Sequence, residues 1–220
     1  MPSRLAALLL VAAAACAPAE EGSRLAGVTE RVSATVYPSP YEMPDVTLTD
    51  QTGEPFHLAS EAMGKVTLLF FGYTNCPDIC PITMASVAAG LDRLAPAERE
   101  RVLTVFVTLD PPRDDSERMA DWLARLDSSF VGLTGTQDEV DGALAELGFV
   151  MPPVPMGGGT AHEHGGDPSD YEVAHPTALF VFTPDGIGRF GYGNGEAQPE
   201  TIAADLRTLL AFDWSEAPGT

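Results

Sequence analysis

The chain is poor in cysteine, in basic residues and in long apolar runs. Three cysteines in 220 residues, one near the N-terminus and two only four positions apart, exclude a disulfide framework stapling distant parts of a fold. Twelve basic residues against 32 acidic ones leave a formal charge of −20. A field of that sign repels phosphate backbones, so nucleic acid is excluded as a partner. Cations and basic protein faces feel it only weakly at physiological salt, and its first meaning is a solvated acidic surface. The N-terminal apolar run from Leu5 to Ala15 is too short to cross a bilayer, which takes about 20 residues. Internal repeats and any composition break that would mark a second domain are also lacking. What remains is a globular composition, 45% hydrophobic, long enough for one domain with a proper core.

The N-terminus reads as an export signal: Arg4, then the apolar run, then small residues. Cys16 follows Ala13-Ala14-Ala15 and resembles the lipobox cysteine of bacterial lipoproteins, with Ala13 where leucine is usual. Residues 1–16 are then a lipoprotein-type signal peptide ending at a lipidated Cys16. Ordinary cleavage after Ala-Cys-Ala is the alternative. Both readings put the mature domain outside the cytoplasm, where thiols and disulfides are each permitted.

Residues 17–40, rich in Ala, Glu, Ser and Pro without period, read as a flexible tether. The domain is expected over 41–212, with a tail at 213–220. Val46 to Leu48 and Phe56 to Leu58 flank a Gly-containing turn and predict a hairpin. Val66 to Tyr73 and Val102 to Leu109 are continuous apolar runs that predict buried strands. Helices are predicted over Pro81 to Leu94, over Asp115 to Leu126 with Asp114 or Asp115 as cap, and over Gln137 to Leu147. Phe130 to Leu133 is a short strand. Thr177 to Phe182 and Gly188 to Tyr192 flank the turn Pro184-Asp185-Gly186, and Thr201 to Phe212 is a closing helix. Residues 151–170, with their prolines and glycines, form a long inserted loop. Strands alternating with helices, then a hairpin and helix, argue for a layered α/β domain with a central mixed sheet.

Cys76 and Cys80 fall where the first buried strand gives way to the first long helix, the strand end at which α/β folds put their chemistry. A pair this close reads as redox or metal chemistry. A helix start lowers thiol pKa, because its N–H groups stabilise negative charge. Pro77 and Pro81 restrict the loop and reduce the entropy lost on binding.

Phe71-Gly72-Tyr73-Thr74-Asn75-Cys76-Pro77-Asp78-Ile79-Cys80-Pro81 resembles the signature of the Sco/SenC family of copper-handling, thioredoxin-like proteins that assist cytochrome c oxidase assembly. Val107 to Asp114 (Val-Thr-Leu-Asp-Pro-Pro-Arg-Asp) and Phe130 to Gly135 resemble later stretches of that family, and the likeness runs over about residues 40–212. It implies a single thioredoxin-like domain and a metal site of Cys76, Cys80 and His175. Two thiolates and an imidazole suit Cu(I), and imidazole also suits Cu(II). The family commonly has an acid before this histidine; here the run is Ala174-His175-Pro176-Thr177. The change removes a group that would orient the ring. Pro176-Thr177 instead resembles the cis-proline segment that packs on the cysteines in thioredoxins.

Other residues stand in reserve. Met156, His162 and His164 in the inserted loop are a candidate secondary copper site, against a plain solvated loop. Asp78 either tunes the site or bonds its own loop. Asp110 is read as a turn or capping carboxylate near the site. Met63 and Met84 are expected in the core, and His57 is structural or exposed. Two functions stay open. One is a metallochaperone that takes copper from a donor protein and delivers it to the dinuclear copper centre of oxidase subunit II. The other is a thiol–disulfide oxidoreductase that reduces the cysteines of that subunit. A peroxidase fits poorly, since it needs one activated cysteine in another loop context, and a copper-sensing module with no transfer role is a further alternative.

Overall fold

In the computed structural model, residues 25–150, 171–193 and 195–217 are described. Cys16, the export signal, and Met156, His162 and His164 lie outside them. Eight strands form one mixed sheet: β1 (Thr35–Glu42), β2 (Thr47–Asp50), β3 (Pro55–His57), β4 (Val66–Gly72), β5 (Val102–Thr108), β6 (Val131–Thr134), β7 (Leu179–Phe182) and β8 (Ile187–Tyr192). The helices are α1 (Leu58–Ala62), α2 (Ile79–Leu91), α3 (Pro96–Arg99), α4 (Ser116–Ala124), α5 (Gln137–Glu146) and α6 (Pro199–Leu210). The sheet order is β1-β8-β7-β4-β5-β6-β2-β3.

The apolar runs explain the centre of this order. All seven residues of β4 are buried, and β5 is buried from Leu103 on. Strands covered on both faces take the middle of a parallel sheet, and β4, β5 and β6 run parallel. Parallel neighbours need crossover connections, supplied here by α2–α3 and α4. β7 then returns antiparallel to β4, with Phe70 opposite Leu179. That reversal positions the site. The chain entering β7 arrives beside the chain leaving β4, so residues just before Leu179 meet residues just after Gly72.

The predicted elements appear with shifted ends. α2 begins at Ile79, two residues before Pro81. A proline in the first helical turn is tolerated because its missing N–H would have no intrahelical partner. Asp115 caps α4, its side chain accepting the Arg118 N–H at 2.8 Å. Thr136 and Glu139 form a reciprocal capping box on α5.

Two expectations are corrected. The stretch read as a tether up to residue 40 is helical at 25–29 and then enters the sheet as β1, antiparallel to β8. Its composition hides the reason, a buried carboxylate 171 residues away. Asp205 on α6 accepts the Ala34 N–H at 2.8 Å and the Ser33 N–H at 2.9 Å, and also the Tyr192 hydroxyl at 2.8 Å. Met63 is not core: it is 55% exposed just past α1, whereas Met84 is fully buried in α2. His57 is exposed, caps α1 and lies 3.3 Å from Asp45.

Candidate metal centre

Cys76 lies in the loop after β4, Cys80 in the first turn of α2, and His175 in the irregular stretch before β7. Antiparallel pairing of β7 with β4 brings them together across nearly a hundred residues of chain. Nε2 of His175 is 3.9 Å from Sγ of Cys76 and 3.7 Å from Sγ of Cys80. The three donor atoms all lie within 4.8 Å of one another, both cysteines are free thiols, and both are buried.

The imidazole is held on both sides. The ring of Phe70 stands edge-on at 6.1 Å between centroids, and that of Tyr73 at 5.8 Å. Nδ1 lies 3.0 Å from the carbonyl oxygen of Pro176. An Nδ1–H donated to that carbonyl leaves the Nε2 lone pair aimed at the sulfurs, the tautomer a metal ligand needs. The backbone thus supplies the orienting acceptor that Ala174 cannot. No cis peptide occurs among the described residues, so Pro176 departs from the thioredoxin pattern while its segment still packs on the cysteines.

The donor set fits a soft first-row ion. Bonds of roughly 2.3 Å to sulfur and 2.0 Å to nitrogen set sulfur and nitrogen about 3.7 Å apart when three ligands share a plane. The two sulfur–nitrogen separations, 3.7 and 3.9 Å, match that spacing. Two sulfurs and one imidazole are donors suited to Cu(I).

The expected lowering of thiol pKa at the helix start fails for Cys80. Burial pushes this thiol far above its ordinary range, outweighing a hydrogen bond from the Tyr73 backbone, and neighbouring Cys76 adds to the rise. Cys76 Sγ accepts the Cys80 N–H at 3.5 Å. In the unfolded chain a cysteine ionises near pH 8.5. At pH 8 the unfolded thiol is therefore partly thiolate while folded Cys80 keeps its proton. Iodoacetamide at pH 8 is expected to leave Cys80 of the reduced, folded protein at least tenfold less modified than in urea. Equal labelling in both states, read by peptide mass spectrometry, would refute the burial argument.

Gly72 and Asp114, not read from the sequence as site residues, stand beside the cluster, and Asp110 and Asp78 take different places from those expected. Gly72, last in β4, lets Cys80 approach: a Cβ there would lie 2.6 Å from Sγ. Asp114 is fully buried and accepts the Thr74 N–H at 2.7 Å and the hydroxyls of Thr74 and Thr108, fixing the loop that leads to Cys76. Asp110 is also fully buried, but it caps no helix; it binds Arg113 and Tyr171. Asp78 is exposed at the start of α2 and its carboxylate makes no cap hydrogen bond. Gly72 and both aspartates sit inside motif stretches, but nothing local marks Tyr171 beyond its place four residues before His175.

Sheet, crossovers and paired thiols at a strand end define a thioredoxin-like α/β domain bearing a Cys2His cluster able to hold a metal ion. The chain belongs to the SCO1/SenC family, whose model matches residues 37–211. It is 33% identical over 179 residues to a putative copper-binding protein of Stutzerimonas stutzeri, covering 81% of this chain and 82% of that one. The solution structure of apo Sco1 from Thermus thermophilus superimposes with a TM-score of 0.68 at 30% identity, covering 81% of this chain and 96% of that one. Bradyrhizobium japonicum ScoI with copper bound gives 0.60 at 29% identity, covering 78% and 98%. Mitochondrial relatives are longer: the chain spans 62% of the mouse SCO2 homolog and 55% of the mouse SCO1 homolog.

Proposed function

We propose that this chain binds one copper ion through Cys76, Cys80 and His175 and delivers it to the dinuclear copper centre of cytochrome c oxidase subunit II during assembly. The Sco family comprises cytochrome c oxidase assembly proteins, and relatives have been solved with copper bound. The observation that carries the reading is the imidazole, whose Nε2 faces both sulfurs at 3.7 and 3.9 Å. Thiol–disulfide exchange needs only the two thiols, whereas the imidazole adds a third donor to a copper site and would tighten its hold on the ion. Transfer proceeds by ligand exchange. Thiolates of the acceptor replace the three ligands stepwise, the copper keeps its oxidation state, and the vacated thiolates take up protons. In this reading the domain works outside the cytoplasm of a bacterium, held to the membrane by a lipid on Cys16. Among the described residues no helix is long and apolar enough to cross a membrane.

One observation favours the oxidoreductase reading: the Cys80 N–H bonded to Cys76 Sγ is an arrangement that also suits an attacking thiol. A bacterium lacking the gene separates the two. His175→Ala is expected to restore oxidase activity at least tenfold less well than the unaltered chain, and Cys76→Ser to fail as badly. Full rescue by His175→Ala with none by Cys76→Ser would move the assignment to disulfide reduction.

A further inference from the structure

We infer that Asp110 is a positioning residue for the histidine side of the metal centre, acting through Tyr171 and Arg113. The inference rests on the proposed role of His175 as a ligand.

Residues 171–178 have no regular secondary structure, so no strand ladder holds His175. The stretch depends on side-chain ties, and they converge on one residue. Asp110 Oδ1 accepts the Tyr171 hydroxyl at 2.7 Å, and Oδ2 pairs with Arg113 Nε. Arg113 Nη2 donates to the Tyr171 carbonyl at 2.9 Å, and its guanidinium carbon sits 3.6 Å from the centre of the Tyr171 ring. Tyr171 is therefore gripped at hydroxyl, ring face and backbone. Four residues span at most about 14 Å, so a grip at Tyr171 restricts where His175 can go. Arg113 also lies 5.7 Å from the ring of Tyr73. Tyr73 packs edge-on against the imidazole.

A fully buried carboxylate is costly unless its oxygens are bonded, and those of Asp110 are engaged by groups whose remaining contacts reach the histidine stretch. Asp114 does the equivalent for the other side, binding Thr74 two residues before Cys76. The turn between β5 and α4 thus carries one buried carboxylate for each half of the site. Neither is among the donor atoms, and together they set the gap between sulfur and nitrogen.

The test is a double-mutant cycle in the full chain, with Cu(I) affinity read by competition with bicinchoninate. Tyr171→Phe removes only the hydroxyl that Asp110 binds, and Asp110→Asn removes the charge that binds Arg113. Each is expected to weaken Cu(I) binding about tenfold in the unaltered background, the usual scale for groups that orient a ligand. Each is expected to have no further effect in a His175→Ala background. Equal weakening in both backgrounds, or unaltered affinity in a folded Tyr171→Phe variant, would overturn the inference. If His175→Ala alone binds Cu(I) as tightly as the unaltered chain, the ligand assignment fails instead. Tyr171→Phe keeps the question open to measurement if Asp110→Asn does not fold.

Discussion

Cys80→Ser is expected to lose stoichiometric Cu(I) binding while keeping the fold, with affinity falling more than about a hundredfold. Cys80 Sγ is fully buried and lies 3.7 Å from the imidazole. A serine hydroxyl at this point is a hard donor that keeps its proton at neutral pH, so the ion would face one thiolate and one imidazole. The substitution is nearly isosteric, and its cost to stability is that of a buried hydroxyl short of a partner, about 1–3 kcal/mol. Cys76→Ser removes the other sulfur and should behave alike. Copper-to-protein ratios after desalting, taken with thermal unfolding of the same samples, check this. One copper per chain with unaltered affinity in either variant would show that the ion sits elsewhere.

Gly72→Ala should damage stability and site together, and for one reason. The added carbon would lie 2.6 Å from Cys80 Sγ, 3.0 Å from a Phe70 ring carbon and 3.1 Å from one of Phe106. Both phenylalanines are fully buried in the central strands and have nowhere to move. Overfilling a packed core costs about 1–3 kcal/mol, and the sulfur is the most mobile of the three neighbours. Its displacement disturbs a cluster whose sulfur–nitrogen separations already fit a metal. Urea unfolding should show the stability loss without a change in m, and Cu(I) affinity should fall about tenfold or more. A variant with normal stability and normal affinity would mean that Cys80 does not pack against β4 as described.

Legibility differed by residue. The C-x3-C pair, the strand before it and the helix after it are local features, and the apolar runs of β4 and β5 marked the central strands because burial on both faces leaves no alternation. His175 was legible through family resemblance, since a lone histidine before a strand carries no signal of its own. The sequence also suggested a lowered thiol pKa at the helix start. For Cys80 the packing of α2 against the sheet reversed it, because desolvation there exceeds the stabilisation by nearby N–H groups. The segment before residue 40 looked like a tether because its anchor, Asp205, lies on the last helix.

Local pattern by itself determined that the chain folds as an α/β domain with two thiols at a strand end, since hydrophobic period and residue spacing are properties of neighbours along the chain. Only the tertiary structure decided what stands opposite those thiols. The antiparallel return of β7 along β4 brings His175 to the sulfurs, and the β5–α4 turn sets Asp110 against Tyr171 and Asp114 against Thr74. Distances of a few ångströms between groups 40 to 100 residues apart follow from strand order and register, which no short stretch of sequence encodes.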